Sequence, residues 1–167
     1  MKEREMAEKQ KYEPIYDIDA YGIQQYQQNR YPLFFLDRVV EARPGEYCHA
    51  YKNWTYDEWF FPAHFADEPN VPGFIQMETC AQTFIMTFLT IPEHKGKKTA
   101  FLSVDNLKFR QKIVPGDRVD LEAYLDSFKR GVAKGRVVAT KNGDFAYGLD
   151  ISVGLPDIMR QYFPKEQ

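Results

Sequence analysis

One histidine and one glutamate, fourteen positions apart, are the residues of this chain whose types best suit proton-transfer chemistry. His64 stands in a segment rich in proline and acidic residues, and Glu78 stands in an apolar stretch. Histidine titrates near neutral pH and often serves as a general base. A carboxyl group among apolar neighbours resists ionisation, so it can hold and donate a proton. The two residues together indicate proton transfer on a carbonyl compound.

The dipeptide Pro72-Gly73 lies between them and is typical of a helix start. Proline suits the first turn of a helix, and glycine lets a ligand approach the backbone closely. The first amides of a helix have no partner within it, so the N–H groups of Gly73 and Phe74 are suited to binding an oxyanion. A base, an acid and an oxyanion site together describe the elimination of water from a 3-hydroxyacyl thioester.

Each of these residues also has a purely structural interpretation. A histidine such as His64, next to a phenylalanine, often serves only in packing. Glu78 would be unremarkable if it reached the helix surface or paired with Arg38 or Arg110. Gln82 follows Glu78 by one helical turn, where its amide can bond and orient the carboxyl group. The residues alone leave both interpretations open.

The elements that must position these residues can be predicted from hydrophobic periodicity and turn motifs. Helices are predicted over residues 17–28, capped by Asp17 or Asp19, and over residues 72–90, the second apolar on nearly all sides. Residues 55–71 are predicted to form a loop. Strands are predicted over residues 33–42, 47–54, 99–113, 117–129, 132–141 and 144–153. This pattern indicates an α+β fold in which an antiparallel sheet curls around the long helix.

The bulk composition is that of one globular domain. The chain has 167 residues, of which 44% are hydrophobic, 28% charged and 16% aromatic. We predict a flexible extension over residues 1–16, the domain over 17–154 and a tail over 155–167. A net charge of −2 gives no support for nucleic acid as a partner, and no apolar run is long enough to span a membrane. Two cysteines without a ligand pattern, and no paired histidine motif, predict no metal and no disulfide.

Four ordered blocks resemble one enzyme family. They begin at Tyr31-Pro32, continue through the stretches around His64 and Glu78, and end with residues 108–117 and 129–131. The family is that of the 3-hydroxyacyl-[acyl carrier protein] dehydratases of fatty acid synthesis, which have the hotdog fold and the same His-to-Glu spacing. The resemblance covers roughly residues 22–153. It departs at Ala63 and at Ala66-Asp67, where the family has glycine and Pro-Gly.

The resemblance implies a role for each matched residue. His64 would remove the α proton of the thioester, Glu78 would protonate the departing 3-hydroxyl, and Gly73 would bind the thioester carbonyl. The glutamate, in place of an aspartate, resembles the branch that does not also isomerise the double bond. No cofactor is implied, and a cytoplasmic location is expected.

The resemblance also implies partners. The two catalytic residues of one site would come from different subunits of a homodimer, with a trimer of dimers as a further assembly. Aromatic and apolar residues would line the acyl tunnel: Phe65, Phe101 and Met77. Basic residues would dock the acidic carrier protein: Lys97, Lys98, Lys108, Arg110 and Lys112. The alternatives are a hotdog thioesterase, and a non-catalytic subunit that binds carrier protein or pairs with an active homologue.

Overall fold

A seven-stranded antiparallel sheet packs around one long helix in the computed structural model, which describes residues 12–163. The strands are β1 (Ile15–Asp19), β2 (Arg38–Arg43), β3 (Tyr47–Asn53), β4 (Ala100–Phe109), β5 (Arg118–Lys129), β6 (Val132–Lys141) and β7 (Asp144–Gly154). The helices are α1 (Ala20–Tyr26), α2 (Gly73–Leu89) and α3 (Pro156–Tyr162), with single 3₁₀ turns at Phe61–Ala63 and Pro92–His94. The sheet order is β1-β2-β3-β5-β6-β7-β4. The predicted α+β hotdog architecture is confirmed.

Helix α2 forms the centre of the core. Thirteen of its 17 residues are buried, and it contacts β2, β3, β5, β6 and β7. Large side chains such as Phe84 and Phe88 each contribute roughly 1.5–3 kcal/mol by leaving water. Gly135 on β6 allows this close packing, because a Cβ there would lie 2.6 Å from the Phe84 ring and 2.0 Å from the Tyr124 carbonyl oxygen. The prediction of a helix enclosed by other elements is confirmed.

Two tight hairpins join the last three strands at the predicted separators. Arg130-Gly131 joins β5 to β6, and Asn142-Gly143 joins β6 to β7. All four residues have φ values between 52° and 81°. Two consecutive left-handed residues match the right-handed twist of the flanking strands, which is why Asn-Gly favours this turn.

The strand predicted over residues 33–42 begins later than expected, at Arg38. Only Asp37, directly before the strand, bonds to β3 through its N–H, whereas the backbone groups of Leu33 and Phe35 bond to a helix side chain. The Phe35 N–H donates to Gln82 Oε1 at 2.9 Å, and Gln82 Nε2 donates to the Leu33 carbonyl at 2.8 Å. The apolar pattern of this segment therefore reflects burial in the core, where Phe35 and Leu36 lie, and not a strand.

The helix predicted over residues 17–28 is shorter and follows a strand. Residues 15–19 form β1, which pairs with β2, and α1 begins only at Ala20. Asp19 is the N-cap and accepts a hydrogen bond from the Gly22 N–H at 2.8 Å. Most of the predicted extension lies outside the described residues, and the predicted tail contains α3.

Candidate active site

The loop that carries His64 is fixed at its base by ion pairs of Lys52, a nearly buried residue. Lys52 Nζ on β3 lies 2.8 Å from Glu58 Oε1 and 3.6 Å from Asp37 Oδ1. The Glu58 carbonyl then accepts a hydrogen bond from the Phe61 N–H, the first residue of the 3₁₀ turn that leads to His64. Phe60 and Phe61 are buried on the core side of this turn. The His64 loop is therefore held in place by an ion pair, a backbone hydrogen bond and buried aromatic rings.

The His64 ring is half-buried and its tautomer follows from its partner. Nδ1 lies 3.0 Å from the Asn70 carbonyl oxygen. A carbonyl can only accept, so Nδ1 must carry the hydrogen. Nε2 is then the nitrogen with a free lone pair, which is the atom that a general base uses. Phe65 stacks on the ring, with the centroids 4.4 Å apart.

The start of α2 lies one short segment further along. Val71 N–H donates to the Ile113 carbonyl, which ties the segment between Asn70 and the helix to the core. Gly73 and Phe74 are the first two residues of the helix, so their amides have no intrahelical acceptor. A Cβ on Gly73 would lie 3.1 Å from Phe109 Cζ, so the ring of Phe109 covers this glycine closely.

Glu78 lies on α2 about one and a half turns after Gly73, and its hydrogen-bond donors are neutral. Its Oε1 accepts from Gln82 Nε2 at 3.1 Å and from Asn29 Nδ2 at 3.3 Å. Burial raises the pKa of the Glu78 carboxyl, and the bond from Gln82 lowers it by a smaller amount. A carboxyl group in this setting is suited to donating a proton.

Neither arginine considered as a partner of Glu78 is bonded to it in the described part of the chain. Arg38 pairs with Asp17, and Arg110 donates to the Phe109 carbonyl, so neither arginine serves Glu78. The carboxyl is also not at the open surface, because the side chain is half-buried.

His64 and Glu78 share neither a hydrogen bond nor an ion pair within the described part of a single chain. The His64 ring is bonded to Asn70, while Glu78 is bonded to Asn29 and Gln82. Within one chain the two side chains are therefore held by different partners.

The predicted tunnel residues lie on three different elements of the chain. Phe65 is 53% exposed on the His64 loop, and Phe101 is 44% exposed on the edge strand β4. Met77 on α2 is half-buried against the core. The exposed aromatic rings are available to a neighbouring molecule.

Four of the five predicted docking residues fall into two groups. Arg110 and Lys112 line a groove of about 420 Å³ that also contains Asn70, Gly73 and Phe109. Lys112 forms an ion pair with Glu68. The second group lines a groove of about 260 Å³ that contains Asn29: Lys97 and Lys98. Lys108 is exposed on β4.

Sequence reasoning missed four residues that the structure places around the site. They are Asn29, which bonds Glu78, Asn70, which bonds His64, and the ion pair of Lys52 and Glu58. The only available indication was the polar run Gln27-Gln28-Asn29 directly before Arg30-Tyr31-Pro32. Nothing in residue type or spacing links that run to a helix 49 positions away.

The described residues hold neither a metal site nor a membrane-spanning helix. Between residues 12 and 163 there is no group of three or more His, Cys, Asp or Glu placed to hold a metal ion. Over the same range no helix is both long enough and apolar enough to cross a membrane.

Comparison with known proteins gives consistent results. A family model described as the FabA-like domain matches residues 28–150. The chain is 40% identical over 129 residues to the 3-hydroxyacyl-[acyl-carrier-protein] dehydratase FabZ of Acetivibrio thermocellus, covering 77% of this chain and 88% of that protein. It is 38% identical over 135 residues to FabZ of Clostridium novyi, covering 79% and 95%.

Solved structures with low sequence identity share the fold. The dehydratase heterocomplex ApeI:P from Xenorhabdus doucetiae matches with a TM-score of 0.71 at 14% identity, covering 86% of this chain and 97% of that one. The uncharacterised protein PH1136 from Pyrococcus horikoshii matches with a TM-score of 0.61 at 8% identity, covering 86% and 95%. The chain belongs to the FabA-like domain family.

Proposed function

We propose that this protein is a hydro-lyase that dehydrates 3-hydroxyacyl-[acyl carrier protein] to trans-2-enoyl-[acyl carrier protein] in fatty acid synthesis or a related lipid pathway. The FabZ relatives carry that activity in their names, and the chain aligns with most of their length. The reaction is redox-neutral, so its chemistry needs no electron-carrying cofactor.

The proposed steps use atoms whose environment has been described. His64 Nε2 removes the C2 proton, and the C2–H electron pair forms the C2=C3 bond. The thioester oxygen takes up negative charge beside the Gly73 and Phe74 amides. The C3–O bond breaks as Glu78 gives its proton to the hydroxyl, which leaves as water. The proton on His64 must then return to Glu78 to complete the cycle.

The observation that carries this proposal is the state of Glu78. Its carboxyl is half-buried, its pKa is raised by burial, and its hydrogen-bond partners are neutral amides. A structural glutamate would be expected to have a cationic partner. A neutral environment instead favours the protonated carboxyl more than water does, which suits a group that donates a proton.

We propose a homodimer with shared active sites, which is supported by the different partners that hold His64 and Glu78 within one chain. Strand β4 supports such an assembly because it is a ten-residue edge strand with exposed apolar side chains, and such edges readily pair with another chain. Those side chains are Phe101, Leu102, Leu107 and Phe109. A second copy at this edge would cover the exposed apolar side chains of β4. One of them, Phe109, lies against Gly73 at the start of α2. The trimer of dimers stays a prediction.

The partner that delivers the substrate would be the acyl carrier protein. Arg110 and Lys112 lie in the groove beside Gly73, where the thioester is expected to bind. An acidic carrier bound there would place its prosthetic arm along the groove. Lys97, Lys98 and Lys108 remain candidates for the same role.

One assay tests the reaction against its alternatives. The purified protein is incubated with 3-hydroxyacyl and trans-2-enoyl thioesters on carrier protein, and both species are quantified by mass spectrometry. We expect interconversion that is lost in His64→Ala and reduced at least roughly 100-fold in Glu78→Gln. Release of free carrier thiol would indicate a thioesterase, and binding without reaction at any chain length would indicate a non-catalytic subunit.

A further inference from the structure

The turn after α1 presents one side chain directly to the proposed acid. Asn29 Nδ2 donates to Glu78 Oε1 at 3.3 Å, and Gln82 Nε2 donates to the same oxygen at 3.1 Å. Both donors are neutral amides, and they come from different elements of the fold. The second oxygen of Glu78 has no such donor among the described residues.

The orientation of the Gln82 amide is fixed by its other partners. Its Oε1 accepts from the Phe35 N–H at 2.9 Å, and its Nε2 donates to the Leu33 carbonyl at 2.8 Å. Exchanging the two ends of the amide would place like groups against each other at both contacts. Gln82 is also fully buried. With its amide fixed in this orientation, Nε2 faces Glu78 and acts as a donor.

Arg30 holds the turn that carries Asn29. Its guanidinium donates to the carbonyl oxygens of Gln27 and Asn29 at 2.8 and 2.7 Å, and to that of Gln24 at 2.9 Å. Three carbonyls gathered by one planar group fix the backbone on both sides of Asn29. The Asn29 side chain is thereby pre-organised towards α2.

We propose that Asn29 is a positioning residue for the acid: together with Gln82 it occupies Glu78 Oε1, so that the transferable proton lies on Oε2. An oxygen that accepts two N–H donors has no lone pair left for a proton, whereas Oε2 has. The carboxyl is thus held in one orientation with its O–H pointing away from the amides. This inference rests on the proposed dehydratase function.

The charged groups around Asn29 and Gln82 do not account for the properties of the Glu78 carboxyl. Arg30 is occupied by three carbonyls, and the basic residues that share the groove of Asn29 are Lys97 and Lys98. No charged side chain among residues 12–163 shifts the pKa of Glu78. His64 of the partner subunit would face it only in the proposed dimer. Changes at Asn29 should therefore act on Glu78 through the hydrogen bond that the Asn29 side chain donates.

The first test compares three variants of the full-length protein. We expect Asn29→Ala to lower kcat roughly 10-fold with little change in KM, because the acid is less well oriented but substrate binding is intact. Asn29→Asp should lower kcat further, because it places a like charge next to the carboxyl group. Gln28→Ala is the matched control, since that side chain belongs to the same turn but does not touch Glu78.

The second test has a readout that a merely structural role would not move. The ionisation of Glu78 is followed by ¹³C NMR of its carboxyl carbon, assigned by its absence in Glu78→Gln. Loss of a donor to the ionised form should raise the midpoint in Asn29→Ala, and the added charge should raise it further in Asn29→Asp. Gln28→Ala should titrate like the wild type.

The outcomes separate this inference from the proposed function. A wild-type kcat together with a wild-type midpoint in Asn29→Ala would overturn the role of Asn29 while leaving the dehydratase proposal intact. A wild-type protein that fails to interconvert the thioesters would overturn the function, and the NMR midpoint would still decide whether Asn29 bonds the carboxyl group.

Discussion

Lys52 and Glu58 form an ion pair of 2.8 Å whose side chains are only 11% and 15% exposed, and this pair joins strand β3 to the loop of His64. Lys52 also lies over the Trp54 ring, 5.2 Å from its centroid. A charge this far from water depends on its partner, because removing one member leaves the other buried and uncompensated. The pair therefore links the stability of the sheet to the position of the proposed base.

Substituting Lys52→Met tests that link. We expect the free energy of unfolding to fall by about 2 kcal/mol, since Glu58 loses its partner at a nearly buried site. Activity should fall roughly 10-fold as the His64 loop becomes less well positioned. Denaturant unfolding and the thioester assay measure the two effects.

Two further variants serve as controls for the same prediction. Lys52→Met combined with Glu58→Gln should recover part of the lost stability, because Glu58 then leaves no unpaired charge at the nearly buried position, while Asp37, which also loses Lys52, is more exposed to water. Arg160→Ala breaks the exposed pair with Asp157 and should cost less than about 0.5 kcal/mol. Equal losses in Lys52→Met and Arg160→Ala would contradict the importance of burial.

Mixing two inactive variants tests whether the site is shared between subunits. His64→Ala and Glu78→Gln are unfolded, mixed in equal amounts and refolded. A mixed dimer with shared sites has one site with both defects and one with neither, so about a quarter of wild-type activity should return, since half of the dimers are mixed. If both residues of a site came from one chain, every site would keep a defect. No recovery, despite mixed dimers shown by mass spectrometry, would contradict the shared site.

The sequence predicted the fold well wherever a local pattern determines the structure. The bounds of α2 and of β6 followed from apolar periodicity and from turn residues such as Asn142-Gly143. Prediction failed for residues 33–37, where the apolar pattern suggested a strand but Gln82 bonds the backbone of Leu33 and Phe35. A long-range side-chain contact of this kind leaves no trace in the spacing of residues.

The residues of the candidate site divide in the same way, into those that the sequence predicts and those that only the fold shows. His64, Gly73 and Glu78 could be proposed because their types and their order in one short stretch have chemical meaning. Asn29 could not, because an amide in a polar run becomes important only when folding brings it to Glu78. Local order in the sequence identifies the groups that react, while the fold selects the groups that hold them.

The two cysteines provide a test of the core. Cys48 and Cys80 are both fully buried, and burial raises the pKa of each thiol. A buried, protonated thiol is a poor nucleophile. We expect no measurable reaction with a disulfide reagent in the native protein, and two thiols per chain after unfolding in guanidinium chloride. Rapid native reaction of either thiol would contradict the packing of α2 or β3.

The pH dependence of stability offers a test of Glu78 that needs no substrate. Burial raises the pKa of the folded carboxyl above its ordinary value, so the unfolded chain ionises at lower pH than the folded one. Below the ordinary pKa both states are protonated and the penalty is absent. Stability is lost as the pH rises towards the folded pKa, because ionisation then favours the unfolded chain. The wild type thus carries a cost at neutral pH that a neutral side chain avoids.

Glu78→Gln removes the titrating group and keeps the size of the side chain. At pH 7 we expect its Tm to exceed that of the wild type by a few degrees, and the difference to disappear near pH 4. The same variant should be nearly inactive, because it lacks the carboxyl that donates the proton. A functional group of this kind often lowers the stability of the protein that carries it. Thermal unfolding from pH 4 to pH 8, with Glu122→Gln on the sheet as a control that lies outside the site, measures the difference. A Tm difference that stayed constant with pH would show that the Glu78 carboxyl titrates as it does in the unfolded chain, and the proposed acid would then lack its physical basis.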